Sequence, residues 1–536
     1  MTADAPAGAG SAPGTPPPPT GTAAPAALVE THSAVVVFLG DRAYKVKKPV
    51  DLGFLDFRRR VDREAACHRE VALNRRLAPD VYLGVADVVG EDGQPCDHLV
   101  VMRRLPADRR LTALVRAGED VDVQLWRLAH RLAAFHAAAE RSPAADAAAG
   151  RDALAARWAA NTAEMLELAG SCLDPGAVGD VDRRAHRYLE GREPLFAARI
   201  AQGRACDGHG DLLADDVFCL DDAPRVLDCL DFDVRLRLDD ALADVAFLAM
   251  DLERLGRPDL GERFLTLYRE HAGDSWPASL AHHHVAYRAQ VRAKVAAIRA
   301  AQGGAGARAE AHGLLAMSRA HLAAGTVRLV VVGGLPGTGK TTVARAVADR
   351  LGAVCLHSDE IRKQQAGLRP DVPVPAGVGE GLYRPDVTAA VYAEMLRRAA
   401  VALGLGESVV LDASFTSAGR RAAARALAGT AAADLVELRC EAPAPVAAER
   451  IRQRLARRAA ARSGTTASAG EGAVDASDAT PEVAAALAAA ADPWPEAATV
   501  LTTGAPDEVV EKAVGQVLTG PGGSPGPAEE GGGRGG

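Results

Sequence analysis

Gly334, Leu335, Pro336, Gly337, Thr338, Gly339, Lys340, Thr341 and Thr342 follow one another in an order that suits a single task, the cradling of a chain of phosphates. The glycines let backbone N–H groups turn inward around an anion, and a helix starting at the end of the loop adds partial positive charge there. Lys340 is placed to reach the terminal phosphates and Thr341 to offer its hydroxyl to a magnesium ion.

Three further clusters supply what phosphoryl transfer needs besides a phosphate cradle. Asp412 ends the apolar stretch ESVVLD, and a carboxylate at the carboxyl end of a strand beside the loop holds magnesium through water. In the stretch AVCLHSDEIRK, Ser358 reads as a helix N-cap, with Asp359 and Arg362 on one helical face. There Asp359 accepts a proton from a substrate hydroxyl while Arg362 steadies a phosphate. Arg450, Arg454, Arg457 and Arg458 crowd one helix, from which a closing lid would deliver positive charge, Arg458 being the candidate that touches the transferring group.

These residues require particular elements to position them. The β-branched run VRLVVV before the glycines predicts a buried strand from Val327, and TTVARAVADRL predicts the helix that opens at the loop. Strands are also expected to run into Ser358 and into Asp412. This strand, loop and helix order resembles the small P-loop kinases that phosphorylate hydroxyl groups, among them gluconate-kinase-like and polynucleotide-kinase-like enzymes. The resemblance covers about Val327 to Leu518 and implies an α/β P-loop NTPase domain with a parallel sheet, using ATP and magnesium.

A second group lies upstream. The stretch DGHGDLLADDVFCLDDAPRVLDCLDFD places His209, Gly210 and Asp211 on a loop, followed by a hairpin whose second strand is expected to carry Asp228. Over most of Leu28 to Ala305 the chain resembles the aminoglycoside-phosphotransferase-like branch of the protein-kinase fold, whose loop reads H-G-D-L-H-x-x-N. The resemblance implies an N-terminal α+β domain in which Asp211 orients the hydroxyl and Asp228 holds magnesium. It also implies an ATP-binding lysine on the strand AYKVKKPV, with Lys45 preferred over Lys47 and Lys48, and Glu70 as its partner. Two positions depart from the pattern: Leu213 replaces the family's second histidine, and Asp216 replaces its metal-binding asparagine. An aspartate still binds magnesium, with an extra charge. The run His282, His283 and His284 reads as a solvated helix face with no ligand role.

Length and composition fit this arrangement. A chain of 536 residues exceeds one ordinary hydrophobic core, and 48% hydrophobic with 25% charged residues suits folded protein. The net charge of −8 and the 4% aromatic content argue against a nucleic-acid partner. No apolar run approaches the ~20 residues of a membrane span, and the cysteines form no C-x-x-C pair, so a cytoplasmic protein with reduced thiols is expected. The expected organisation is a disordered tail over 1–27, a kinase-like domain over 28–305 and a helical linker over 306–326. A P-loop domain over 327–518 and a second tail over 519–536 complete it. The segment SGTTASAGEGA from Ser463 reads as a mobile lid. The function these readings lead to is ATP-dependent phosphorylation of a small-molecule hydroxyl. Its rival is an ATP-sensing regulator whose N-terminal domain binds nucleotide without transferring phosphate.

Overall fold

The computed structural model describes residues 27–31, 33–51, 56–168, 172–369, 371–374, 379–462 and 477–519. The tails and the Ser463 segment expected to be flexible lie outside the described residues. The chain divides into two compact units, Met1–Leu114 with Asp215–Phe232, and Val115–Ala214 with Asp233–Gly536.

In the first unit, β1 (Ala27–Glu30), β2 (Ala34–Leu39), β3 (Arg42–Lys47), β4 (Tyr82–Val89) and β5 (Pro95–Arg103) form an antiparallel sheet in the order β1-β2-β3-β5-β4. The hairpin between β2 and β3 closes from Leu39 to Arg42, and Gly40 takes the positive φ that so tight a connection requires. Helix Arg60–Asn74 covers the sheet. Its buried positions Arg63, Ala66, Cys67, Glu70, Val71 and Asn74 recur at helical spacing, and three of them are polar or charged. Cys67 and Val71 pack with Ala43, Val81, Tyr82, Val100 and Met102, so the face that carries Glu70 is fixed by an apolar core.

Along the chain, two short antiparallel pairs flank the loop of His209 to Asp211: β6 (Ala205–Asp207) with β9 (Leu238–Asp240) in the second unit, and β7 (Val217–Cys219) with β8 (Pro224–Val226) in the first. Asp228 lies beyond β8 rather than on it, as the sequence had led us to expect, and it adopts a positive φ of 62°.

Apart from the β6–β9 pair, the regular elements of the second unit up to residue 324 are helices. Helix Ala241–Arg254 is buried along most of its length, and Ala278–Ala301 packs along Ala307–Ala324, which occupies the expected linker. The expected solvated histidine face is not found. His283 and His284 are each 1% exposed, because this long helix is packed on more than one side and two of three consecutive residues turn inward. Six of the eight cysteines are buried and all are free.

After residue 327 the second unit contains a parallel sheet of β10 (Arg328–Gly333), β11 (Val354–His357), β12 (Val409–Asp412), β13 (Asp434–Glu441) and β14 (Ala498–Leu501), in the order β11-β12-β10-β13-β14. Leu329, Val330, Val331 and Val332 are all fully buried, which explains the unbroken apolar run of a central strand covered on both faces. Val343 and Val347 of helix Lys340–Leu351, with Val514 and Val517 of helix Pro506–Thr519, pack on Val330, Val332 and Leu438. The chain passes from β10 to neighbours on either side, so the carboxyl end of β10 is the crevice where this topology binds ligands.

Candidate active site

The glycine-rich loop joins β10 to helix Lys340–Leu351 at that crevice. Gly337 has φ +82°, and a Cβ there would meet the Ala447 carbonyl oxygen at 2.4 Å, so both the conformation and the contact exclude a side chain. Thr502, just after β14, donates to the Thr338 carbonyl at 2.7 Å, and Arg450 donates to the Thr502 carbonyl at 2.7 Å and to that of Gly337 at 3.4 Å. The loop is thereby braced from β14 and from helix Ala444–Arg462. Thr502 has no signal in the sequence because its partner is 164 residues away.

Asp412 is the centre of the polar network. Its Oδ2 accepts from Thr341 Oγ1 at 2.7 Å and from His357 Nδ1 at 2.8 Å. Burial works against the charge on His357, but its hydrogen bonds to Asp412 and Cys355 outweigh that and lift the imidazole pKa to about 10. Asp412 shows the converse. Burial raises its pKa, and the His357 hydrogen bond, the Lys340 charge and the Thr341 hydroxyl together hold it below the usual range. The other carboxylate oxygen, Oδ1, is buried with no hydrogen-bond partner among the described residues. An orphaned acceptor beside a threonine hydroxyl fits a hydrated magnesium ion, which needs few protein ligands. His357 is absent from the sequence reading because β11 and β12 are brought side by side only by the fold, with His357 opposite Asp412.

Beside this network is a cavity of about 530 Å³ whose lining includes Lys340, Asp359, Arg362, Tyr383, Tyr392 and Arg420. Asp359 and Arg362 lie on helix Ser358–Gln365 as expected, with Arg362 Nε 3.7 Å from Asp359. Arg362 also donates to the Leu382 carbonyl at 2.8 Å and lies over the Tyr383 ring. Ser358 is the first helical residue and not the cap; His357 occupies the cap position, its side chain committed to Asp412. Buried Lys363 pairs with buried Asp478 at 3.1 Å. Arg454 donates to the Ala479 carbonyl, tying helix Ala444–Arg462 to the far side of the Ser463 segment. The side chain of Arg458 lies outside the described residues.

In the first unit, Lys45 Nζ is 2.9 Å from Glu70 Oε1 and donates to Asp228 Oδ1 at 2.9 Å. The expected lysine does reach Glu70, yet Lys47, two residues along the same strand face, reaches it too at 2.7 Å and donates to Asp231. Burial opposes charge on Glu70 and Lys45, but each keeps it: the lysines hold Glu70 below its usual range, while Asp228 and Glu70 raise Lys45. Asn74 links helix and loop by donating to the Glu70 carbonyl and accepting from the Cys229 N–H. Lys48 pairs instead with Glu30. Asp216 is half-buried in the turn Ala214–Asp216, and its carbonyl accepts from Leu227.

In the second unit, Asp211 is half-buried in the loop after β6. That loop is fastened by buried Asp244, which accepts from the backbone N–H groups of His209 at 2.6 Å and Gly210 at 2.8 Å and pairs with His136. Leu213 follows on the same loop, half-buried.

Residues 329–476 match the family model described as an AAA domain. The uncharacterised protein Rv2004c of Mycobacterium tuberculosis is 43% identical over 487 residues, which span 91% of this chain and 93% of that protein. The chain belongs to the family of this mycobacterial protein. Among solved structures, a choline/ethanolamine kinase family protein from Mesorhizobium loti is similar at 15% identity, over 56% of this chain and 94% of its own, with a TM-score of 0.34. The Mycobacterium tuberculosis APS kinase, solved with AMPPNP and APS, is similar at 20% identity, over 36% of this chain and 98% of its own, with a TM-score of 0.25. Among the described residues of this family member, no helix is long and apolar enough to cross a membrane.

Proposed function

We propose that the chain is an ATP-dependent phosphotransferase that acts on a hydroxyl group of a small molecule. The observation that carries this reading is the network of Thr341 and Asp412 at the end of the glycine-rich loop, beside a cavity that also presents Lys340, Asp359 and Arg362. Bound ATP with magnesium supplies the phosphoryl group and partial screening of its charge. Residues Gly334 to Thr342 would wrap the phosphates, Lys340 would attract the terminal pair, and Thr341 with Asp412 would hold the metal. Asp359 takes the proton of the acceptor hydroxyl, Arg362 positions the acceptor, and Arg458 adds charge to the group in transit.

The first unit carries the makings of a second nucleotide site. Lys45, steadied by Glu70, would contact phosphate there, with Asp216 and Asp228 to hold a metal; for Asp211, in the second unit, the kinase-fold resemblance implies a hydroxyl-orienting role. A regulatory N-terminal half that binds nucleotide without transfer is favoured by Leu213 and Asp216, the two departures from that pattern. Incubating the protein with labelled ATP and a panel of sugars, amino sugars, nucleosides and oligonucleotides tests both readings. Label in a small hydroxyl compound supports the transferase. Nucleotide binding with no labelled product from any acceptor supports the regulator.

A further inference from the structure

Arg420 lies in the first turn of helix Ala418–Thr430 and lines the cavity that also presents Lys340, Asp359 and Arg362. Its guanidinium stands over the Tyr392 ring, 4.3 Å from the ring centre. That ring is held from several sides. Tyr392 is buried, its hydroxyl accepts from the Phe415 N–H at 3.3 Å and lies 3.3 Å from Ser414 Oγ, and the Phe415 ring meets it edge to face. A cation resting on an aromatic face is positioned by the ring without giving up its N–H groups. Arg420 is half-buried, and among the described residues its side chain forms no hydrogen bond and no ion pair. All five of its donors are therefore open.

The other charged groups of the lining are engaged. With Lys340 assigned to the ATP phosphates, Arg362 is the next cation, and it donates to the Leu382 carbonyl at 2.8 Å and the Thr388 hydroxyl at 3.1 Å, 3.7 Å from Asp359. Asp478 pairs with Lys363 and accepts from the Val374 N–H at 3.2 Å. Asp492 accepts from the Ala418 N–H at 2.7 Å through Oδ2; it is exposed, so water serves its other oxygen, and it forms no ion pair with Arg420. Among the described residues, no carboxylate answers the charge of Arg420. Its planar fork matches the two oxygens of a carboxylate or a phosphate, and a cavity of about 530 Å³ falls within the ~300–1,000 Å³ of small-molecule sites.

We propose that the acceptor is an anionic hydroxyl compound whose carboxylate or phosphate group is bound by Arg420. The proposal rests on the phosphotransferase reading and deepens it: Arg420 sets which compounds are used, while Asp359 acts at the hydroxyl. In the transfer the acceptor oxygen bonds to the terminal phosphorus of ATP, and the bond from that phosphorus to the bridging oxygen breaks with its electrons leaving on ADP. The hydroxyl proton passes to Asp359. Arg420 takes no part in these bond changes, so its loss falls on acceptor binding.

The test compares matched acceptors with the full chain, ATP and magnesium: neutral sugars and polyols, the corresponding sugar acids, and the corresponding sugar monophosphates. The native protein should use acids or monophosphates with kcat/KM at least ~10-fold above their neutral counterparts, and the two charged arms tell carboxylate from phosphate. This comparison needs no variant. Arg420→Met should raise KM for the charged acceptor roughly 10–100-fold with kcat within a few-fold, the loss expected for charge-assisted hydrogen bonds made equally before and during transfer. Arg420→Lys, which keeps the charge without the fork, should fall between the two. Equal use of neutral and charged acceptors, or a native KM in Arg420→Met, overturns the proposal and leaves the phosphotransferase reading in place. No labelled product from any acceptor, with ATP still bound, overturns that reading and the proposal with it.

Discussion

Replacing Gly337 by alanine tests whether the glycine-rich loop and the arginine-bearing helix behave as one device. Two penalties combine at this position. Alanine at φ +82° is held in the left-handed region, at about 1–2 kcal/mol. Its Cβ would also lie 2.4 Å from the Ala447 carbonyl oxygen, where ordinary contacts begin at about 3.5 Å, so roughly 1 Å of overlap must be absorbed by backbone on both sides. Overpacking of that kind costs about 1–3 kcal/mol, giving a total of roughly 2–5 kcal/mol. Helix Ala444–Arg462 is the element that must give way, and with it the Arg450 bonds to Thr502 and Gly337. ATP affinity should therefore fall although no charge has been removed. Gly352 provides the control, because it has φ +60° with nothing within 4 Å of a Cβ, so Gly352→Ala carries only the conformational penalty. Urea unfolding gives the stabilities and calorimetry the ATP affinities. If Gly337→Ala proves as mild as Gly352→Ala in both, the loop is not braced by this helix.

Asp412→Asn should abolish transfer and reduce the magnesium dependence of ATP binding, because the amide keeps the shape but not the charge; calorimetry with and without magnesium measures it. Glu70→Gln should destabilise the protein more than Lys45→Met in urea titrations, by roughly 1–3 kcal/mol, since it leaves Lys45 only Asp228 and Lys47 only Asp231, while Lys45→Met leaves Glu70 paired with Lys47. Acid should weaken the fold through His284, whose pKa burial drives down to about 4, opposed by Asp239 and Asp240. A depressed histidine contributes full stability above its unfolded pKa of ~6.5 and loses it as the pH falls toward the folded value, roughly 2 kcal/mol between pH 7.5 and 5. His284→Leu should flatten that part of the urea midpoint profile.

What the sequence revealed follows the distance over which each constraint acts. Gly334 to Thr342, the strand before it and the helix after it are set by neighbours along the chain, so their spacing is readable directly. Asp412 was legible because an apolar strand fixes where it lies, and Glu70 because the kinase-fold resemblance pairs it with the strand lysine. The partners that complete the sites are not local. His357 meets Asp412 only when β11 pairs with β12, Thr502 reaches the loop from after β14, and Asp244 holds the His209 loop from helix Ala241–Arg254. That Lys47 shares Glu70 with Lys45 was hidden for the same reason: alternation places both on one face, and only the helix across the sheet shows that one carboxylate serves them together. Burial of His283 and His284 was equally hidden, because how many sides of a long helix are covered is a tertiary property.

The central claim is that the C-terminal site moves phosphate from ATP to a small hydroxyl compound, with Lys340 serving the nucleotide and Asp359 the acceptor. The most direct measurement pairs ATP affinity with acceptor phosphorylation in the native protein, Lys340→Ala and Asp359→Asn. In these full-length proteins, ATP affinity is titrated for the C-terminal site in a Lys45→Met background, and phosphorylation is read on an acceptor found in the panel. Lys340→Ala should lose both ATP binding and transfer, whereas Asp359→Asn should keep ATP affinity within a few-fold and lose transfer by at least ~100-fold. Native transfer rates in both variants would contradict the account.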